Sequence, residues 1–218
     1  MKLEILHRWF FVLATLLAAG VVTADGSFEA GRQQLELDAT NASLIRVRIP
    51  AGEIRIEGVK GNQIHAKAVI RCKTRESRCT RAAEKLEWTT REDDQEISLR
   101  LGPGPSFSDS DVKVEVLVPE DRDLEFDIDA GDIKITGMRG CVNGHVDAGD
   151  VGIVMAADRV ASVHLDTNVG DASLRTPKGS VSGDRSWLVG AVVNWDGGKG
   201  DCAVDISLNA GDLSLELE

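Results

Sequence analysis

Asp129-Ala130-Gly131-Asp132-Ile133-Lys134-Ile135 reads as two short strands hinged on a glycine, and the chain repeats it. Ala148-Gly149-Asp150 and Ala210-Gly211-Asp212 carry the same tripeptide, Val169-Gly170-Asp171 is a near copy, and Leu188-Val189-Gly190-Ala191 is a weaker one. From Gly131 onward the five glycines are spaced by 18, 21, 20 and 21 residues. Their flanks keep the same phase. Two residues after each glycine stand Ile133, Val151, Ala172, Val192 and Leu213; four after stand Ile135, Ile153, Leu174, Asn194 and Leu215. Three before stand Ile128, Val146, Thr167, Trp187 and Leu208. Alternating apolar residues mean strands with one buried face. A glycine at constant phase means a corner where φ is positive or backbones crowd.

These features predict an all-β, single-domain β-solenoid, with coils of about 20 residues stacked in chain order at about 4.8 Å. A β-sandwich with regularly spaced hairpins is the other arrangement compatible with the pattern. Residues 126–218 form the regular part and 25–125 an irregular, strand-rich part. The irregular part holds a matching piece, because Pro50 to Gly61 parallels Asp129 to Gly140. Strands are expected at Leu35 to Leu37, Ile45 to Ile49, Ile54 to Ile56, Ile64 to Ile70, Glu96 to Leu101 and Val112 to Val118. Residues 76–87 have the composition of one short helix, and Gly102 to Asp111 that of a loop.

The 218 residues carry 25 basic and 36 acidic side chains, a net charge of −11. Such a chain lacks the basic face that phosphate binding needs, which excludes nucleic acid as a partner. Trp9 to Ala24 is an uncharged apolar run ending in Val22-Thr23-Ala24, as a secretory signal does. Residues 1–24 are therefore read as a leader cleaved before Asp25. No second long apolar stretch follows, so no stable membrane insertion is expected after cleavage. Export permits disulfides, and the four cysteines allow three connectivities. Cys72 and Cys79 lie seven apart and could close a small loop. In serial coil order, Cys141 and Cys202 stand about three coils apart, roughly 14 Å, beyond disulfide reach. A bond between them would mean that the coil register is wrong or that the coil at Gly190 is irregular.

An exported leader, an early strand-Gly-strand unit, a variable insert, then Val118-Pro119, Leu124, the Asp129-Ala130-Gly131-Asp132 turn and serial Gly-Asp coils follow in that order. This resembles the bacterial putative-adhesin family, exported β-solenoid proteins of unknown function. The resemblance covers roughly residues 28–218. It implies an envelope or surface location and brings no catalytic residues. The cysteines and the imperfect coil at Leu188 to Ala191 depart from the family pattern.

The most prominent constellation is acidic. Asp129, Asp132, Asp147, Asp150, Asp171 and Asp212 recur at the corners, with Asn168 and Asn209 in equivalent places. Stacked carboxylates repel, and Ca²⁺ between coils would relieve that. The plainer reading has these side chains accepting hydrogen bonds from turn amides. The coil at Gly190 lacks the acids and would break a continuous ladder. Gly197-Gly198-Lys199-Gly200-Asp201 resembles one calcium β-roll repeat but reads as a turn. His145 and His164 are two ordinary histidines rather than a metal site, since two ligands are too few. Neither a G-x-S-x-G nor an H-E-x-x-H motif occurs, while acidic pairs of the glycosidase kind are plentiful.

The resulting expectation is an exported, non-catalytic, adhesin-like binding or scaffold protein of the periplasm or cell surface. It needs no cofactor, and its partner is an envelope protein or glycan. The alternatives are a polysaccharide-active enzyme using paired acids, or a calcium-dependent structural module. Expressed as the full chain in an exporting host, the protein is expected to start at Asp25. An intact mass that retained residues 1–24 would instead identify an uncleaved anchor.

Overall fold

A computed structural model describes residues 26–75, 78–102, 110–186 and 189–218, with side chains at 185 and 186 outside the description. The leader, most of the Gly102 to Asp111 loop and Trp187 lie outside the described residues. Among the described residues, fifteen strands form one sheet. In chain order they are β1 (Phe28–Asp38), β2 (Leu44–Val59), β3 (Gln63–Cys72), helix α1 (Arg78–Ala83), β4 (Glu87–Glu92), β5 (Glu96–Gly102), β6 (Ser110–Pro119) and β7 (Asp123–Met138). Then follow β8 (Val142–Met155), β9 (Val160–Val169), β10 (Ala172–Thr176), β11 (Gly179–Ser182), β12 (Asp184–Ser186), β13 (Gly190–Trp195), β14 (Cys202–Ala210) and β15 (Leu213–Leu217). The chain is all-β. The helix is shorter than composition suggested, because Glu87 already belongs to β4, which pairs antiparallel with β5.

The strand-Gly-strand units pair in parallel and in phase. Gly52 lies opposite Gly131, and Gly131 opposite Gly149. β14 with β15 and β9 with β10 are the same unit divided at Gly211 and Gly170. The glycine contacts give the stacking order directly. A Cβ on Gly131 would lie 2.0 Å from the carbonyl oxygen of Gly52, and one on Gly149 would lie 1.8 Å from that of Gly131. Gly211 would meet Gly149 at 1.9 Å, and Gly170 would meet Gly211 at 1.8 Å. All five glycines have φ between 131° and 147°, which L side chains rarely adopt.

That order corrects the serial stack expected from sequence. The last unit, β14–β15, lies between β8 on one side and β9–β10 on the other. The segment at Gly190 is no coil. β13 runs antiparallel to β9, and Gly190 is not among the positive-φ glycines. It buries Ala191 and Val193 instead of Val192 and Asn194. The phase has slipped by one residue, which exchanges the faces of a strand.

Within the true units the inward phase holds. Ile54, Ile133, Val151, Leu213 and Ala172 form one buried row, and Ile56, Ile135, Ile153, Leu215 and Leu174 the next. Before the corner, Ile49, Ile128, Val146 and Leu208 are continued by Thr167, which is only 1% exposed. Its hydroxyl accepts the Ala191 N–H at 3.1 Å, so this buried polar group is satisfied and ties β13 to the end of the stack. Both halves share one hydrophobic cluster. Cys72 and Cys79 are bonded across a Cα–Cα distance of 5.9 Å, joining β3 to α1.

Gly149→Ala combines a positive φ with a backbone clash, and its expected cost is about 3–5 kcal/mol, lowering Tm by roughly 10 °C or more. Gly102→Ala meets nothing within 4 Å and should change stability by less than about 0.5 kcal/mol. Thermal unfolding of both variants checks the contrast.

Candidate functional site

Each unit turns its outward residues after the corner to the same face. The corner position is Glu53, Asp132, Asp150, Asp212 and Asp171 in spatial order. The row three residues after each glycine is Arg55, Lys134, Gly152, Ser214 and Ser173. Together they floor an open groove of about 940 Å³, walled at one end by the β10–β11 hairpin through Ser180 and Ser182. Gly152 sits in mid-floor and has no positive φ. A Cβ there would find nothing nearer than the Ser214 hydroxyl at 3.8 Å. The backbone does not require glycine here; its effect is to leave the floor low. Polar rims accompany it, with Arg175 3.6 Å from Glu216 across neighbouring strands.

Four of the corner acids, Glu53, Asp147, Asp150 and Asp212, are occupied with structure. Asp150 accepts the Asp212 N–H at 3.1 Å, and Asp212 accepts the Asp171 N–H at 3.0 Å. Glu53 pairs with Lys113 at 2.7 Å and Arg55 at 2.9 Å. The hydrogen bond from Lys113, then that from Arg55, holds its carboxyl below the ordinary range. A general acid needs the reverse shift. The second corner row is Asp129, Asp147, Asn209 and Asn168. Asn209 donates to Asp147 and Asn168 donates to Asn209, both at 2.8 Å. Because the Gly190 segment is not a coil, both ladders run unbroken, against the sequence expectation. At Asp150 and Asp212 the carboxylate accepts a turn amide of the neighbouring unit.

The histidines do not stack. β14 separates them, with Ser207 opposite His145 and Asp205 opposite His164. His145 contacts Ser207 at 2.8 Å and Asp147 at 3.2 Å, while His164 contacts Asn194 at 2.7 Å. The Gly197 to Gly200 stretch packs on β9. A Cβ on Gly198 would lie 1.8 Å from the Val160 carbonyl oxygen, and Gly197 covers the indole of Trp195.

Among the described residues, the one place where three metal-type ligands converge is elsewhere. The sulfurs of Cys141 and Cys202 and a carboxylate oxygen of Asp123 lie within 4.8 Å of one another. This corrects the expected separation of the two cysteines. Inserting β14 beside β8 puts Val204 opposite Val142, so Cys141 neighbours Ala203, one residue from Cys202. Burial first, then the hydrogen bond with the Cys202 thiol and the nearby Asp123 charge, pushes the Cys141 thiol up to about 12. Its neutral form is thus favoured by folding. That contribution is full below the ordinary thiol pKa and is lost as pH rises toward 12.

The groove was missed in sequence because its residues are polar and differ from unit to unit. The signal was the position three after each corner glycine. Their lateral order was not readable, since it depends on where the last unit inserts.

No family model matches the chain, and no curated protein matches it. Among solved structures it is similar to a putative cell adhesion protein from Clostridium sporogenes, with a TM-score of 0.52 and 11% identity over 86% of this chain and 99% of that one. A putative adhesin from Parabacteroides merdae is matched with a TM-score of 0.25 and 8% identity, over 86% of this chain and 97% of that one. The Clostridium likeness is one of fold, an all-β arrangement spanning nearly the whole of that protein; the Parabacteroides match carries no argument.

Proposed function

We propose that this is an exported, adhesin-like binding protein of the cell envelope that acts without chemistry. We read the stacked units as a short β-solenoid and the groove floored by Gly152 as its recognition surface. The observation that carries this reading is Gly152 itself. Neither φ nor packing demands a glycine there, and a larger side chain would raise the floor of the groove. The floor is rigid, because its inner units are held in parallel register on both sides and β10 is held between parallel β15 and antiparallel β11. Binding to such a surface loses little ordering entropy. Alternating charges of both signs, Glu53 with Arg55 and Asp132 with Lys134, suit a polar protein surface. The structural engagement of Glu53, Asp150 and Asp212 weighs against the reading as a polysaccharide-active enzyme with paired acids.

The test is crosslinking in exporting cells, with a photoreactive residue at Ser214 in the groove and a control at Asn143 outside it. Capture of a discrete envelope protein from Ser214 alone is expected. Gly152→Gln should reduce that capture about tenfold or more while leaving Tm within about 2 °C. Equal capture from both positions removes the groove from the proposal. Recovery of glycan alone moves the polysaccharide reading ahead.

The calcium reading has its own check. Because Asp147, Asp150 and Asp212 already accept amide hydrogen bonds, chelator is expected to shift the Tm of the mature protein by less than about 1 °C. A calcium-dependent rise of several degrees would reinstate an ion between the units.

A further inference from the structure

We propose that Cys141 and Cys202 form a second disulfide, which staples the last unit of the chain into the middle of the stack. The two sulfurs lie within 4.8 Å of each other. The partnered strands and the one-residue offset place the two Cα atoms about 6 Å apart, within the range that a disulfide spans. Cys72 and Cys79, already bonded, span 5.9 Å. Both backbones are anchored. Cys141 donates its N–H to the Asp123 carboxylate at 2.9 Å, and its carbonyl accepts from Leu124 at 2.8 Å. Cys202 donates its N–H to the Arg159 carbonyl at 3.0 Å. The sulfurs have then only a short way to move to bonding distance.

A metal fits this place less well. The cluster offers three ligands where a closed structural zinc site uses four. One Asp123 oxygen is already engaged by the Cys141 amide.

The bond has a defined mechanical effect. β14 lies between β8 and β9, although β9 precedes it in the chain. The late unit must therefore enter between two neighbours. Cys141 stands just before β8 and Cys202 opens β14, so their bond ties the entering unit to one side of the gap. In forming it, two S–H bonds break and one S–S bond forms. Two electrons and two protons pass to an oxidising disulfide, which is reduced to two thiols. In the cell that oxidant is the disulfide of an exported thiol oxidoreductase; in the test it is oxidised glutathione. The docked Cys141 thiol ionises little at neutral pH, so the exchange belongs to folding, before its burial is complete.

The test uses full-length protein exported by its own leader and purified without reductant. Thiol titration in denaturant is expected to find no free thiol. Mass spectrometry of a non-reduced digest should find Cys141 and Cys202 in one linked pair of peptides. Two free thiols that persist after refolding with oxidised glutathione would overturn the bond. So would two thiols that become titratable only when a chelator removes zinc. The C141S/C202S variant, with Cys72–Cys79 intact, should melt roughly 5–10 °C below the oxidised protein. Equal melting temperatures would overturn the stapling role.

Discussion

The structure depends on one close contact, the glycine Cα of one unit laid against the glycine carbonyl of the next. Gly52, Gly131, Gly149, Gly211 and Gly170 make a continuous line of such contacts. Each pins its unit in register, so a corner cannot slide by one residue without driving a side chain into a carbonyl. Register in turn decides which face is buried. The apolar rows, the acid ladders and the groove floor are all consequences of that alignment.

The stack is not laid down in chain order. The final unit lies between β8 and β9–β10, and the Gly190 segment, the one break that a serial stack would contain, is outside the series. The acid ladders become continuous, and the segment at Gly190 is released from the series to run antiparallel at the end, where Thr167 receives it. The same insertion brings together two cysteines that lie far apart in the chain. The insertion thus accounts for the thiol pair, and the antiparallel Gly190 segment for the imperfect repeat and the unbroken ladders.

The two outward surfaces of a unit differ in what they can offer. Asp147, Asp150 and Asp212 hold neighbouring amides and are parts of the scaffold. The residues beyond them, from Arg55 to Ser173, vary in chemistry along the groove. Recognition by a rigid polar floor fits this division better than catalysis. An acid–base pair needs two carboxyls held in opposite protonation states, and the salt-bridged Glu53 is held ionised.

The sequence by itself determined the all-β class, the glycine corners, the inward phase of each true unit and the local Cys72–Cys79 loop. These follow from contacts close in the chain or from strict periodicity, as with Ile133 and Ile135 after Gly131. Six expected strands stood at Leu35 to Leu37, Ile45 to Ile49, Ile54 to Ile56, Ile64 to Ile70, Glu96 to Leu101 and Val112 to Val118, and each lies within an observed one. Only the tertiary structure decided the order of the units, the fate of Gly190, the meeting of Cys141 with Cys202 and the floor around Gly152. Spacing along a chain says that units are alike. Which unit lies beside which depends on how well their side chains pack across the gap, and near-identical corners leave that choice to the whole stack.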